Sequence, residues 1–229
     1  MTRTTDLGSD LMTHPLPTSA DRPHPVFSRF YARISKRMEA EGMTPLRQEL
    51  LADLAGEVVE VGAGNGMNFA HYPTTVTHVV AVEPEPYLRA LATRAAKTAS
   101  VPVIVQAGTA DRLPLPDADI DAAVLCLVMC SLEDRPAALA ELRRVLRPGG
   151  TLRFLEHTIA DSPGLRVVQR VADATVWPLL AGGCHTATDP VAAITGAGFE
   201  ITTCRRLRFP DNRFTQPASP HVLGTARVR

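Results

Sequence analysis

The sequence predicts an α/β fold: a doubly wound, mostly parallel sheet with helices on both faces, built as a single domain. Two observations support this prediction. Short apolar, β-branched segments alternate along the chain with longer helical segments, and this alternation is typical of βαβ units. The short segments are also apolar at consecutive positions, as is typical of strands that are buried on both faces of a parallel sheet.

The apolar segments predict strands at 58–61, 77–82, 101–106, 122–129, 151–155, 199–205 and 221–228. The helical segments are 27–40, 44–54, 86–98, 135–146 and 190–197. We expect Thr44 to cap the second helix, with Pro45 in its first turn, where a missing N–H costs nothing. The first helix has apolar residues at helical spacing, which predicts one apolar face lying over the domain. These residues are Phe27, Phe30, Tyr31, Ile34 and Met38.

Composition limits the class of protein. The 229 residues allow one large domain at 26–229, preceded by a leader at 1–25 whose Pro, Thr, Ser and Asp content predicts flexibility. Lys plus Arg equals Asp plus Glu, at 24 each, so no net charge would draw the protein to nucleic acid or to an anionic membrane. A small-molecule partner is favoured, and the sequence leaves the oligomeric state open.

Location is predicted from apolar runs and cysteines. The longest apolar run, 122–130, is far shorter than a membrane span, and no apolar core follows the first charges of the chain, so neither export nor stable membrane insertion is expected. The four cysteines fit neither a disulfide framework nor a CxxC metal site. We therefore expect a cytoplasmic protein without a metal site.

The segment 58–66, VVEVGAGNG, joins a predicted buried strand to a glycine-rich turn. Glycine lacks a Cβ, so such a turn can adopt positive φ and bring backbone N–H groups against a ligand. The dinucleotide fingerprint GxGxxG does not match, because Met67 stands where the third glycine is required. Glu60, two residues before Gly62, would repel a pyrophosphate and suits a ligand with an ammonium group. S-adenosylmethionine has such a group.

An acidic residue follows the second predicted strand. Glu83 lies 21 residues after Gly62, where a carboxylate can accept hydrogen bonds from both hydroxyls of a ribose. Pro84 then turns the chain away. The joint spacing of the glycine turn and this acidic residue predicts a site for a nucleoside-containing ligand.

With these residues in view, residues 27–229 resemble the class I S-adenosylmethionine-dependent methyltransferases, in particular those related to ubiquinone and menaquinone biosynthesis. EVGAGNG at 60–66 is similar to the glycine loop and VEPE at 82–85 to the ribose-binding strand end. GTADRLPLPDADIDAAV at 108–124 is similar to the adenine segment with the fourth strand, and LRRVLRPGG at 142–150 to the turn before the fifth. The resemblance implies a Rossmann-like sheet of seven strands whose last strand is antiparallel.

The resemblance also implies a binding site for the methyl donor. Glu60 and the loop around Gly64 would hold the methionine end, Glu83 the ribose, and Ala110 with Asp111 the adenine edge. Thr109 departs from the family pattern, in which many members have Asp, so the adenine contact would depend on Asp111. The full predicted donor site is Tyr31, Glu60, Gly62, Ala63, Gly64, Asn65, Gly66, Asn68, Glu83, Pro84, Ala110, Asp111 and Leu127.

A narrower resemblance points to the acceptor. The strings GNGMNFAHYP at 64–73, EPEPYLR at 83–89, LEH at 155–157 and GGCHTATD at 182–189 are similar to membrane-anchored alkyl thiol methyltransferases. The predicted reaction is methyl transfer to a small, apolar molecule, with a thiol as the first choice. A quinone-like or natural-product acceptor methylated on O or C is the alternative.

Candidate catalytic residues are two histidines. His157 follows the fifth predicted strand at the edge where open α/β sheets bind ligands, and His185 lies in a segment that could fold over the pocket. Cys126 and Cys130 are expected to share one strand face as small hydrophobes of the core, with redox or metalloid chemistry as the less favoured reading. Tyr31 could cover the donor or serve only as a core aromatic.

The insertion at 158–188 carries more apolar residues than a linker needs, so it is expected to form a lid and to line the acceptor pocket, with Trp177 as an apolar wall. Two other functions remain open. A nicotinamide-dependent oxidoreductase is disfavoured by the spacing of the glycines. A protein that binds the donor without catalysis would retain the same donor-binding residues.

Overall fold

The computed structural model describes residues 25–175, 177–211 and 216–229, so residues 1–24 of the predicted leader lie outside the described part. A sheet of seven strands forms the centre. The strands are β1 Gly56–Val61, β2 Val76–Val82, β3 Val103–Gln106, β4 Ile120–Cys126, β5 Leu146–His157, β6 Phe199–Arg208 and β7 Pro220–Val228.

The strand order is β3-β2-β1-β4-β5-β7-β6. Strands β1 to β5 pair in parallel, and β7 pairs antiparallel with both β5 and β6. The predicted doubly wound sheet with an antiparallel last strand is therefore confirmed. Because the order reverses between β1 and β4, the carboxyl ends of these strands form the switch point at which such sheets bind their ligands.

Helices cover both faces of the sheet. They are α1 Pro25–Met38, α2 Thr44–Leu51, α3 Pro86–Ala96, α4 Arg135–Val145, α5 Pro163–Asp173, α6 Trp177–Leu180 and α7 Pro190–Gly196. Neighbouring strand residues face opposite sides, so Val58 packs in the layer beneath α2 and α3, and Val59 in the layer with α4 and α7. This two-sided burial explains the unbroken apolar runs of the strands.

Several predictions about where elements begin and end were wrong. Strand β4 ends at Cys126, because Leu127 adopts a positive φ of 59°, outside the extended region of a regular strand. Cys130 therefore lies in a short 3-10 turn, Met129–Ser131, and does not share a strand face with Cys126. Thr44 does not cap α2, because a π-helical segment, Glu39–Met43, leads directly into it, and the Thr44 hydroxyl instead donates to the Glu39 carboxylate at 2.7 Å.

The buried face of α1 is rotated from the predicted one. Phe30 and Ile34 are exposed, whereas Ser28, Ala32 and Ser35 are buried. Small residues on the inner face let the helix approach the glycine turn closely, so the apolar spacing of the sequence identified a helix but not its contact face.

The insertion at 158–188 forms α5 and α6. Five of its apolar side chains are exposed: Val167, Val168, Val171, Leu179 and Leu180. Its role as a lid over an acceptor pocket stays a prediction. Buried Gln169 anchors α5 by accepting from the N–H of Ala160 and donating to carbonyl oxygens of Thr158, Thr186 and Pro217. In the described ranges, no helix is both long and apolar enough to cross a membrane.

The close approach of β6 and β7 requires glycine at position 224. A Cβ there would lie 2.4 Å from the Thr203 carbonyl oxygen and 2.6 Å from the Phe154 ring. Gly224→Ala is expected to lower the free energy of unfolding by about 1–3 kcal/mol, as overpacking does. Urea denaturation measures this change.

The matched control is Gly196→Ala. A Cβ at Gly196 meets no heavy atom within 4 Å. This variant is expected to be neutral or stabilised by about 0.4–1 kcal/mol, because alanine restricts the unfolded chain. Equal effects of the two substitutions would contradict the packing argument.

Candidate active site

The glycine turn follows β1 at the switch point of the sheet. Gly62, Gly64 and Gly66 have φ values of +69°, +56° and +79°, a region that favours glycine. A Cβ at Gly62 would lie 2.3 Å from a methyl group of Val128, so the β4 end packs directly against the turn. The N–H groups of Gly62 and Ala63 both donate to the Val82 carbonyl, which ties the turn to β2.

Glu83 lies where β2 ends, next to the glycine turn. Its carboxylate accepts from the N–H of Gly64 at 2.8 Å and from that of Glu85 at 2.9 Å. Burial raises the pKa of this carboxyl. The carbonyl oxygens of Glu83 and Pro84 accept from the Arg89 guanidinium, which holds the strand end in place. Each carboxylate oxygen retains a lone pair that can accept from a ligand hydroxyl.

Glu60 lies beneath the turn and is 2% exposed. It accepts from the Asn68 amide at 2.9 Å and from the Tyr72 hydroxyl at 2.7 Å. Burial raises the pKa of Glu60 to about 7, although its two hydrogen-bond donors act in the opposite direction. A cation bound beside it would favour the ionised carboxylate.

Arg47 is a site residue that the sequence reasoning missed. Its guanidinium is buried and donates to Glu39 at 2.6 Å, to the Asn68 amide oxygen at 2.8 Å and to the Cys126 sulfur at 3.3 Å. Asn68 thus uses both ends of its amide to join Arg47 to Glu60. Its spacing in the sequence could have revealed this burial. Arg47 precedes Leu50 and Leu51 by three and four positions, which places it on the same, buried face of α2.

Helix α1 covers the glycine turn. A Cβ at Gly64 would lie 3.0 Å from the Tyr31 ring, and Asn65 donates to the Ser35 hydroxyl at 2.9 Å. Burial raises the pKa of the Tyr31 phenol, although the Arg47 guanidinium acts in the opposite direction. The Asn65 side-chain oxygen is buried and has no hydrogen-bond partner among the described residues. It is an acceptor that a ligand ammonium would satisfy.

The remaining predicted donor residues lie at the same edge of the sheet. Ala110 is partly buried and Asp111 is exposed, in the loop that follows β3 beside Glu83. Leu127 follows β4 and donates its N–H to the Leu155 carbonyl at 2.8 Å. The positive φ of Leu127 is strained for a residue other than glycine, and such strain is concentrated at functional sites in proteins.

A second part of the site lies at the carboxyl ends of β4 and β5. The Glu156 carboxyl is fully buried and accepts from the N–H groups of Val128 and Met129 at 3.0 and 3.1 Å. Burial raises the pKa of Glu156 to about 8. These bonds hold the turn that follows Leu127.

Two cysteines and a histidine meet beside this turn. One potential ligand atom from each of Cys130, His157 and Cys184 lies within 4.8 Å of the others. The His157 ring has Nδ1 at 2.9 Å from the Ala218 carbonyl oxygen, and its centroid is 4.4 Å from that of His221. Burial and the neighbouring His221 lower the pKa of His157 to about 3, so its imidazole is neutral.

Comparison with known proteins identifies the family. Residues 59–154 match the family model described as a methyltransferase domain. The chain is 30% identical to thiol S-methyltransferase TMT1B of Rattus norvegicus, over 85% of this chain and 81% of that protein. It is also 30% identical to thiol S-methyltransferase TMT1A of Homo sapiens, over 81% and 80%. The chain belongs to the class I S-adenosylmethionine-dependent methyltransferases.

A solved structure supports the fold of this methyltransferase. The S-adenosylmethionine-dependent methyltransferase of Thermotoga maritima superposes with a TM-score of 0.65 at 21% identity, covering 89% of this chain and 99% of that one. The glycine turn, the Asn65 oxygen, which has no partner within 25–175, 177–211 and 216–229, and the carboxyl groups of Glu60 and Glu83 fit the methyl donor of this family, because they offer close backbone approach and acceptors for an ammonium and a ribose.

The two histidines predicted as catalytic differ in their surroundings. His157 lies in the cluster with Cys130 and Cys184. The His185 side chain is exposed, and only its backbone N–H contributes, by donating to the Cys130 carbonyl at 2.9 Å. Its neighbour Cys184 points to the cluster instead. The sequence reasoning missed Cys184 and treated Cys130 as core packing, because the two cysteines are 54 residues apart and come together only when the insertion folds back.

The Glu156 carboxyl can be tested as the support of the turn in this methyltransferase. Glu156→Gln is expected to lower the free energy of unfolding by about 1–3 kcal/mol, because one acceptor oxygen replaces two and a buried N–H of Val128 or Met129 loses its partner. Urea denaturation followed by circular dichroism measures the change. Glu133→Gln, at an exposed position nearby, should have no effect. An equally small effect at both positions would refute the role of Glu156.

Proposed function

We propose that this methyltransferase transfers the methyl group of S-adenosylmethionine to the sulfur of a small, apolar thiol. The observation that supports the acceptor is the similarity to thiol S-methyltransferases, which extends over four-fifths or more of both chains. The similarity is therefore not limited to the half of the fold that binds the donor.

The donor site is proposed from the geometry of the glycine turn. Glu83 would accept from the ribose hydroxyls, and Glu60 with the free Asn65 oxygen would hold the ammonium of the methionine end. Ala110 and Asp111 would contact the adenine. Leu127 would pack against the donor, and Tyr31, which contacts Gly64 in the structure, would close the site from above.

The chemistry requires alignment more than proton transfer. The donor supplies an electrophilic methyl group, and the protein holds an incoming sulfur in line with it, about 3–3.5 Å away. A thiol with a pKa near 8.5 is already ionised to a small extent at neutral pH, whereas an alcohol would need a strong base. The histidines His157 and His221 are enclosed near the end of β5. Burial lowers their pKa values to about 3 and about 4, so both are weak bases, which suits a thiol acceptor better than an alcohol.

A methyl-transfer assay tests this function. With a panel of alkyl thiols, catechols and quinols, the purified protein is expected to form methyl thioethers and S-adenosylhomocysteine from the thiols alone. Glu83→Ala should bind the donor at least about tenfold more weakly, since it loses charge-assisted hydrogen bonds of about 1.5–3 kcal/mol each. Glu200→Ala, at an exposed carboxylate of β6, is the control. Methylation of a quinol in place of the thiols would establish the alternative acceptor.

Glu60 predicts a pH dependence of donor binding. Its pKa of about 7 in the free protein would fall when an ammonium binds beside it, so donor affinity should decrease as the pH falls through 7 and Glu60 becomes protonated. Between about pH 7.5 and about pH 6, the dissociation constant should rise roughly eightfold, following the ionised fraction of one group. Isothermal titration with S-adenosylmethionine measures it.

The control for this pH dependence is Glu60→Gln, which keeps the size of the side chain but cannot ionise. It should bind more weakly and show little change over the same pH interval. If the variant keeps the full pH dependence, another group is responsible and Glu60 does not face the ammonium.

A further inference from the structure

The Cys130–His157–Cys184 cluster has the composition of a metal site. Thiolate and imidazole are the ligands that Zn²⁺ prefers in proteins, and Zn–S and Zn–N bonds of about 2.3 and 2.0–2.1 Å place tetrahedral ligand atoms roughly 3.5–3.8 Å apart. The three ligand atoms here lie within 4.8 Å of one another, so the side chains need to close by only about 1 Å. All four cysteines of the chain are free thiols.

The surroundings of the cluster orient its ligands. The His157 Nδ1–H donates to the Ala218 carbonyl at 2.9 Å, which leaves the Nε2 lone pair for a ligand, as in most histidine metal sites. The Trp177 N–H is buried and has no hydrogen-bond partner among the described residues. The N–H of His185 donates to the Cys130 carbonyl at 2.9 Å and ties the two cysteine segments together.

We propose that Cys130, His157 and Cys184 bind a Zn²⁺ ion and that the fourth position of this ion takes the sulfur of the acceptor thiol. The identity of the acceptor in this inference rests on the proposed function. Three protein ligands with one open position are typical of catalytic zinc, whereas structural zinc has four protein ligands. The two cysteine thiolates balance the charge of the ion. The Arg135 guanidinium donates to the Met129 and Cys130 carbonyls, and its charge would stabilise the third thiolate, which is that of the acceptor.

The open position lies close to the donor site. Cys130 is two residues beyond Val128, which packs against Gly62, and His157 ends β5, the neighbour of β4. Strands β1, β4 and β5 are adjacent, so the cluster is within about two strand spacings, roughly 10 Å, of the glycine turn. Tyr31 covers the glycine turn on this side, since a Cβ at Gly64 would lie 3.0 Å from its ring.

The proposed step conserves atoms and charge. The acceptor thiol binds the ion through sulfur and releases its proton to water, because a thiol coordinated to Zn²⁺ is deprotonated. The bound thiolate attacks the methyl carbon, and the new S–C bond forms as the bond from that carbon to the sulfonium sulfur breaks. The electron pair of the broken bond stays on S-adenosylhomocysteine. The thioether product carries no charge, so it leaves the ion and a new thiol can bind.

Cobalt substitution tests the metal site without depending on activity. The full-length protein, freed of metal by a chelator and kept reduced, is titrated with Co²⁺, which reports thiolate ligands by a charge-transfer band. We expect a band that saturates at about one ion per chain and is displaced by Zn²⁺, as for one tetrahedral site. Cys130→Ser and Cys184→Ser should lose it. Cys204→Ser and His78→Asn, which leave the cluster intact, should keep it.

Two results would overturn the metal site: no band in the wild type, or a full band in both Cys130→Ser and Cys184→Ser. His157→Asn gives a further measurement, because a folded variant should bind Co²⁺ with a shifted ligand-field spectrum. Circular dichroism confirms that each variant is folded. If all three cluster variants unfold, chelator competition on the wild-type protein still decides whether the chain binds Zn²⁺ tightly.

The place of the acceptor is tested by adding an alkyl thiol to the Co²⁺ protein without donor. A new or shifted thiolate band supports direct coordination, and an unchanged spectrum overturns it. The methyl-transfer assay is read separately. Thiol methylation by protein that binds no metal would refute the zinc inference and leave the proposed function standing. Coordination of the thiol without methylation would refute the proposed function and leave the metal site standing.

Discussion

The turn that follows β4 depends on the buried carboxyl group of Glu156. Leu127 has a positive φ, which costs energy in a bulky residue, and the chain returns from it only because the next two N–H groups find acceptors on Glu156. The turn then places Val128 against Gly62 and Cys130 beside His157. Both the donor side and the cysteine side of the site are therefore positioned by one side chain at the end of β5.

A buried polar network supports the glycine turn from below. Arg47, Asn68 and Glu60 form a continuous chain of hydrogen bonds that ends at Glu39 on one side and Tyr72 on the other. Such a network is costly to desolvate, and losing one member leaves the others unsatisfied. Its presence under a ligand-binding turn is consistent with a pre-organised carboxylate, because each donor that holds Glu60 also restricts where the carboxylate can point.

Helix α1 connects the two sides of the site. Its inner face is lined by small residues, so the helix approaches the glycine turn closely, and Tyr31 lies over Gly64. Phe27 packs one turn earlier, where a Cβ at Gly182 would be 2.3 Å from its ring. The same helix thus contacts the donor turn and the segment that carries Cys184. Of the apolar residues that gave the sequence its helical pattern, Phe27 and Tyr31 form these contacts, whereas Phe30 and Ile34 are exposed on the outer face.

The sequence alone determined that Glu60, the glycine turn and Glu83 come together. They lie on β1, on the turn that follows it and at the end of β2, so a short connection between neighbouring parallel strands makes their spacing along the chain also their arrangement in space. Only the tertiary structure decided that Arg47 is buried under the turn and that Cys184 meets Cys130 and His157. Periodicity reports which face of its own helix or strand a residue occupies, but not which distant element packs against that face. Contacts between β4, β5 and the folded-back insertion depend on how the whole sheet closes, and no local pattern carries that information.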